Sequence, residues 1–374
     1  MEISLCKPDI TQREIDAVVD VMKSGILSIG PKIEEFERKV ADYVGVKHAI
    51  AVNSGTSGLH LLIKALGIKK GDEVITTPFS FVATANCILF EGARPVFADI
   101  DINTLELDMN GIEEKITPRT KAVIPVDIFG HPYDIKSLRK ITDKYGLKII
   151  QDACEALGSE YDGDKTGLLA DGAVFAFYPN KQITTGEGGM IVTNNSEVAE
   201  LCRSYRSQGR ARTGLWLHHE RLGYNYRMSE LNAVVGSVQM DRLNEIISKR
   251  CSVAERYNKG LSNIKGLSIP YVSPKTTIMS WFSYVVRFDE NINRDMVMDY
   301  LRSKGIGCKP YFTPIHLQPY MIEEFKYKQG DFPNAEKAGR SCLALPFYNN
   351  MSQNEIDYVV ENIKEAIIQQ VGVI

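Results

Sequence analysis

The chain is short of the groups that hold metals. It has six histidines in 374 residues, and none is spaced as in HxxxH or HExxH, so no metal site is expected. Seven cysteines, at 6, 87, 154, 202, 251, 308 and 342, form no CxxC pair. An odd, scattered count predicts reduced thiols and a cytoplasmic setting. No apolar run reaches about 18 residues, which excludes a membrane-spanning helix of the usual kind. Met1-Glu-Ile-Ser-Leu-Cys-Lys-Pro8 carries an acid early and no apolar core, so no secretory signal is expected there. The net charge of −3 offers nucleic acid or a membrane surface no electrostatic footing. Repeats, low-complexity tracts and Pro/Ser-rich linkers are also missing. No GxGxxG follows the first strand, which removes a dinucleotide-binding dehydrogenase from consideration.

What is present is an ordinary soluble composition, 44% hydrophobic and 24% charged. The length exceeds what one compact core usually takes. It divides into a large α/β domain over 1–250 and a smaller α+β domain over 251–374. Residues Thr11 to Lys23 repeat apolar positions at helical spacing, with Thr11 as N-cap. A second helix follows Pro31 from Ile33 to Val44. Strands and helices then alternate. The strands are Ala49–Val52, Glu73–Thr76, Arg94–Ala98, Ala122–Val126 and Lys148–Gln151, and the helices Ser57–Leu66, Phe81–Glu91 and Ile135–Tyr145. Ala173–Phe177 and Gly189–Thr193 add two strands. Such alternation predicts βαβ units and a mainly parallel sheet flanked by helices. One long helix is expected over Ser229–Lys259. A strand, a helix and a strand follow at Ser283–Phe288, Arg294–Lys304 and Gly307–Lys309, and an amphipathic helix at Ser352–Gln369.

The chemistry concentrates around Val174-Phe-Ala-Phe-Tyr-Pro-Asn-Lys-Gln-Ile-Thr-Thr-Gly-Glu-Gly-Gly-Met190. Lys181 stands between an apolar strand and a glycine-rich turn. Taken alone it is a loop lysine at the surface. Upstream, however, Leu147-Lys-Ile-Ile-Gln-Asp-Ala-Cys-Glu155 is an apolar strand ending on a carboxylate, Asp152. Ligands of open α/β sheets bind at such strand ends. A lysine amine that can attack a carbonyl, with an acid for a pyridine nitrogen, suits pyridoxal phosphate.

Six motifs occur in a familiar order: Ser24-Gly-Ile-Leu-Ser-Ile-Gly-Pro31, Asn53-Ser-Gly-Thr56, Thr77-Pro-Phe-Ser-Phe-Val-Ala-Thr84, Gln151-Asp-Ala-Cys-Glu155, the Lys181 segment and Leu222-Gly-Tyr-Asn-Tyr-Arg-Met228. Together they resemble the sugar aminotransferases of the DegT/DnrJ/EryC1/StrS family, among the fold-type I pyridoxal phosphate enzymes. Trp281-Phe282 and Tyr311-Phe-Thr-Pro-Ile-His-Leu-Gln-Pro319 are most similar to the perosamine synthase group.

The resemblance implies a seven-stranded sheet and a set of roles. Lys181 is the Schiff-base and proton-transfer lysine. Ser54, Gly55 and Thr56 bind the cofactor phosphate at a helix start. Phe81 stacks on the ring, Asp152 meets its nitrogen, and Glu155 lies beside its phenolic oxygen. Asn225 reaches the phosphate in the partner chain's site, which implies a homodimer. Ser28, Arg227, Tyr311 and His316 belong to the substrate side. The implied reaction takes an amine from L-glutamate to a nucleotide-linked 4-keto-6-deoxy sugar, for surface polysaccharide or glycans. Amination at C3, or a regulatory protein that keeps the fold, are the alternatives. Read without the resemblance, Ser54 or Thr56 is a plain N-cap, Phe81 a core aromatic and His316 structural. One position departs from the family: Ala176 stands where relatives often carry a serine hydroxyl for the phosphate.

Overall fold

The computed structural model describes residues 1–211 and 218–372. It opens with α1 (Gln12–Ser24), where the Glu14 carboxylate reaches back to accept from the Thr11 amide at 2.8 Å. Next comes α2 (Pro31–Val44), which starts on proline. The first amides of α2 are met from far along the chain. Those of Gly30, Lys32 and Ile33 donate to the buried Glu230 carboxylate at 3.1, 2.8 and 3.1 Å. A carboxylate at a helix N-terminus satisfies orphan amides and complements the helix dipole.

The sheet is then laid down with its helices: β1 (His48–Val52), α3 (Gly55–Ala65), β2 (Glu73–Thr76), α4 (Ala83–Phe90), β3 (Arg94–Phe97), β4 (Thr120–Ile124), α5 (Ile135–Tyr145) and β5 (Lys148–Asp152). A short hairpin, β6 (Glu160–Tyr161) and β7 (Asp164–Lys165), interrupts before β8 (Gly172–Ala176), β9 (Gly189–Thr193) and α6 (Ser196–Arg206). The seven-stranded order is β1-β9-β8-β5-β4-β2-β3. Neighbours from β8 to β3 run parallel, and β9 is antiparallel to both β8 and β1. A parallel sheet is covered on both faces. On one side Phe36 and Val40 of α2 pack with Phe175, and on the other Leu59 and Leu62 of α3 pack with Val174 and Ile191. This is the mainly parallel α/β architecture that the resemblance implied.

The predicted helix over Ser229–Lys259 is two helices, α7 (Glu230–Asp241) and α8 (Leu243–Leu261). Arg242 breaks them with φ −105° and ψ 0°. Its buried guanidinium binds Glu14 at 2.8 Å and Asp9 at 3.0 Å, and buried charge is tolerable only when paired this way. Farther along, α8 changes company. Leu243 and Ile246 pack beneath the central sheet, while Val253, Tyr257 and Leu261 join a second core with Tyr284 and Ile363.

The remaining elements are β10 (Leu267–Ser268), β11 (Thr276–Ile278), β12 (Tyr284–Phe288), α9 (Arg294–Ser303), α10 (Pro319–Phe325), α11 (Pro333–Ser341), β13 (Cys342–Leu345) and α12 (Gln353–Val371). Strands β10, β12 and β13 form an antiparallel sheet, and β11 joins the β6–β7 hairpin. The strand expected over Gly307–Lys309 is reduced to isolated bridges, Ile3 with Ile306 and Lys309 with Ala344. Among the described residues no helix is long and apolar enough to cross a membrane, and no group of His, Cys, Asp and Glu could hold a metal ion.

Candidate active site

A cavity of about 500 Å³ lies at the carboxyl ends of β5 and β8, against the start of α3. Its lining gathers Ser54, Gly55, Thr56, Phe81, Asp152, Glu155, Lys181 and Tyr311, eight of the twelve positions that the sequence marked as site residues. Ala176 lines it too.

Asp152 ends β5 with its side chain buried. Its Oδ2 accepts from Thr84 Oγ1 at 2.7 Å and its Oδ1 from the Cys154 amide at 3.2 Å. Lys181 sits in the tight connection between β8 and β9, which the Phe177 and Thr185 amides close by bonding the Gly188 and Phe177 carbonyls at 2.9 and 3.0 Å. The Lys181 Nζ lies 3.3 Å from Glu155 Oε1 and 3.9 Å from the centre of the Phe282 ring. Glu155 is buried, and its Oε2 accepts from the Phe129 amide at 2.9 Å. Burial pushes the Glu155 carboxyl up, with the Lys181 charge pulling the other way. Tyr311 stacks on Phe312 at 4.9 Å, and burial raises its phenol to about 12.

At the cavity's other end, Ser54 caps α3 by accepting from the Ser57 amide at 3.1 Å. The amides of Gly55 and Thr56 fall in the first turn, where no carbonyl four residues earlier belongs to the helix. Gly55 is required by a close approach. A Cβ there would stand 2.9 Å from both Ala176 Cβ and Cys154 Sγ.

Residues 8–364 match the model of the DegT/DnrJ/EryC1/StrS aminotransferase family. The chain belongs to that family. GDP-perosamine synthase of Caulobacter vibrioides is 38% identical over 371 residues, covering 98% of each chain. Among solved structures, S. venezuelae DesV in complex with a ketimine intermediate superposes with TM-score 0.92 at 32% identity, over 97% of this chain and 98% of that one. Spr1654 of Streptococcus pneumoniae in its PLP form gives TM-score 0.92 at 28% identity, covering 99% of each. The protein is thus an aminotransferase whose cofactor is pyridoxal phosphate.

The cavity's chemistry fits that cofactor. A helix N-terminus with a glycine start suits a phosphate. A buried carboxylate suits a protonated ring nitrogen. Phe81 is 60% exposed at the rim, in the turn before α4 rather than on the helix expected over Phe81–Glu91, and so offers a bare aromatic face. Lys181 places an amine in the same cavity.

Four marked residues are not gathered here. Ser28 pairs with Ser229 in an isolated bridge. Asn225 is exposed and bridges Ser207. Its neighbours are tied inward: Tyr224 Oη donates to Glu91 Oε1 at 3.0 Å, and Tyr226 Oη lies 3.3 Å from His60 Nδ1. Arg227 Nη1 donates to Gln208 Oε1 at 2.6 Å, and burial together with Arg210 and Arg206 lowers its pKa. His316 does not face the cavity as expected. Its ring is fully buried, 4.8 Å from Phe332, with Nε2 3.1 Å from Glu336 Oε1. Glu336 and Phe332 enclose it, and it is not among the residues that line the cavity.

Sequence reading left Ser80, Thr84, Asn180, Phe282 and Phe312 without roles, although all but Thr84 line the cavity and Thr84 binds Asp152. Ser80 and Thr84 stood inside a motif already noticed. Phe282 lies a hundred residues from Lys181 and gave no local sign of meeting it.

Proposed function

We propose that this aminotransferase moves the amino group of L-glutamate to C4 of a nucleotide-linked 4-keto-6-deoxy sugar, in the making of amino sugars for surface polysaccharide or glycans. The observation that carries the reading is one cavity holding Lys181 beside Glu155, with the buried Asp152 and the start of α3 in its walls. Similarity to a GDP-perosamine synthase along nearly the whole chain supports the sugar class.

When bound, pyridoxal phosphate supplies the electron sink and carries the amine between the two half-reactions. The rest falls to the chain. Asp152 would hold the ring nitrogen, Phe81 would cover the ring, and the Gly55 and Thr56 amides with Ser54 would hold the phosphate. Glu155 would stand toward the ring oxygen. Lys181 Nζ moves the proton, first from the α-carbon of glutamate and then, in reverse, to the sugar carbon. Its neighbours, Glu155 and the Phe282 ring, fix where the amine stands, with Nζ 3.3 Å from Glu155 Oε1 and 3.9 Å from the ring centre. Phe282, Tyr311 and Phe312 form an aromatic wall that excludes water from that exchange.

We assign Ser28, Arg227 and Tyr311 to the substrate side, and Asn225 to the phosphate of a second copy, within a cytoplasmic homodimer. In this reading residues 1–250 form the cofactor domain and 251–374 the smaller one. The test is to incubate the cofactor-loaded protein with L-glutamate and a panel of keto-sugar nucleotides, following 2-oxoglutarate and the sugar product's mass and NMR spectrum. A 4-amino-4,6-dideoxy product is expected. A 3-amino product would overturn the position, and bound cofactor without any turnover would favour a regulatory role.

A further inference from the structure

The mechanism uses Asp152 but not the two hydroxyls chained to it. Thr84, on the first turn of α4, is fully buried, and Ser80 in the preceding turn is 5% exposed. Thr84 Oγ1 lies 2.7 Å from Asp152 Oδ2, and Ser80 Oγ lies 2.9 Å from Thr84 Oγ1. The proton positions follow from valence. An ionised carboxylate only accepts, so the single Thr84 proton points at Asp152. Thr84 then has only lone pairs to offer Ser80, and the Ser80 proton points at Thr84. Both O–H bonds run the same way, toward the carboxylate, and such chains polarise one another.

We propose that Thr84, backed by Ser80, is a positioning residue that holds the Asp152 carboxylate aimed for the cofactor's ring nitrogen. The proposal rests on the reading of Asp152 given above. Three features carry it. The Thr84 bond is to a charged acceptor in a buried place, where hydrogen bonds are strong. It engages Oδ2, while the Cys154 amide engages Oδ1, so the carboxylate plane is fixed from both oxygens. Thr84 also hangs from α4 whereas Asp152 ends β5, so the bond joins two separately placed elements. A hydroxyl that merely filled space would need neither the direction nor a donor of its own.

The experiment uses full-length Thr84→Val, Thr84→Ser, Ser80→Ala and Asp152→Asn, each loaded with pyridoxal phosphate labelled with ¹⁵N in the ring. The ring-nitrogen chemical shift reports its protonation directly, and stopped-flow absorbance gives the half-reaction with glutamate. Thr84→Val keeps the shape and removes the donor. It should move the shift toward the unprotonated value and slow the half-reaction by about tenfold to a hundredfold, the range for losing a hydrogen bond to a charged group. Thr84→Ser restores the hydroxyl and should return both readings to near the parent. Ser80→Ala leaves the Thr84 bond in place and should shift the nitrogen the same way by less, which keeps a test available should Thr84→Val fold poorly. If Asp152→Asn moves the shift while Thr84→Val and Ser80→Ala do not, the positioning role is overturned and the Asp152 reading stands. If Asp152→Asn leaves it unmoved, both are overturned.

Discussion

Gly55→Ala tests the start of α3 as the seat of the phosphate. The added Cβ would stand 2.9 Å from Ala176 Cβ and from Cys154 Sγ. Ala176 belongs to a buried strand and cannot swing away, so the helix start must back off. Overpacking of this kind costs about 1–3 kcal/mol. Replacing glycine returns about 0.4–1 kcal/mol through the unfolded chain. The apo protein should therefore lose up to about 2.6 kcal/mol, centred on about 1.3, read from urea melts without cofactor. Displaced amides would also hold a phosphate less well. A tenfold weaker Kd lowers the stabilisation conferred by ligand at 100 times the parent Kd from about 2.7 to about 1.4 kcal/mol. The assay is the same melt with and without pyridoxal phosphate, alongside a direct titration of the cofactor. Gly111→Ala serves as control, since its Cβ would meet nothing nearer than 3.9 Å. Lost apo stability with cofactor affinity unchanged would refute the phosphate site at this helix. No change in either would refute the packing argument itself.

Lys181→Ala should abolish transamination and the visible absorption of the bound cofactor, and retained steady-state turnover would sink the assignment of the amine. For the shared site, mixing inactive Lys181→Ala with an inactive Asn225→Ala protein under subunit exchange should restore activity, because each heterodimer keeps one undamaged site; heterodimers shown to form but without turnover would confine Asn225 to its own chain. Burial pushes the Glu14 carboxyl up, yet hydrogen bonds from Thr11, Arg242 and Gln239 prevail and hold it at about 2. A folded value below the ordinary 4.5 means that its stabilisation is full above that pH and is lost as pH falls toward about 2. Glu14→Gln should thus melt earlier at neutral pH and show a flatter acid limb, and an unaltered acid melting profile would contradict this.

Strands that end in chemistry were legible because they combine two local signals. The apolar run into Asp152 and the apolar-to-glycine passage around Lys181 each announce a buried strand and a functional end. The break at Arg242 was not legible, since apolar spacing continues through it while its partners, Asp9 and Glu14, lie more than two hundred residues away. Strand β13 has four residues buried on both faces, so it shows no alternation to read. His316 carried no mark of its own burial, because that is decided by Glu336 and Phe332 closing over it. Thr84 looked like a helix residue in a motif, and only folding brings its hydroxyl to Asp152.

The Glu230 carboxylate that caps α2 ties two distant positions into one inheritance. A Cβ on Gly30 would meet Glu230 Oε2 at 2.7 Å, while the Gly30 amide depends on that same side chain. Any larger residue at 30 therefore asks Ile26, whose Cγ2 would stand at 2.6 Å, to turn aside and residue 230 to shorten, and a shorter residue there withdraws the acceptor from Lys32 and Ile33 as well. Neither step is open first. Gly30→Ala and Glu230→Ala should each destabilise, and the double variant should lose less than the two losses added, a coupling that a double-mutant cycle reads as a deviation of about 0.5–3 kcal/mol. Drift in the Ser24–Pro31 segment is held back by a residue on α7 that it never neighbours in the chain.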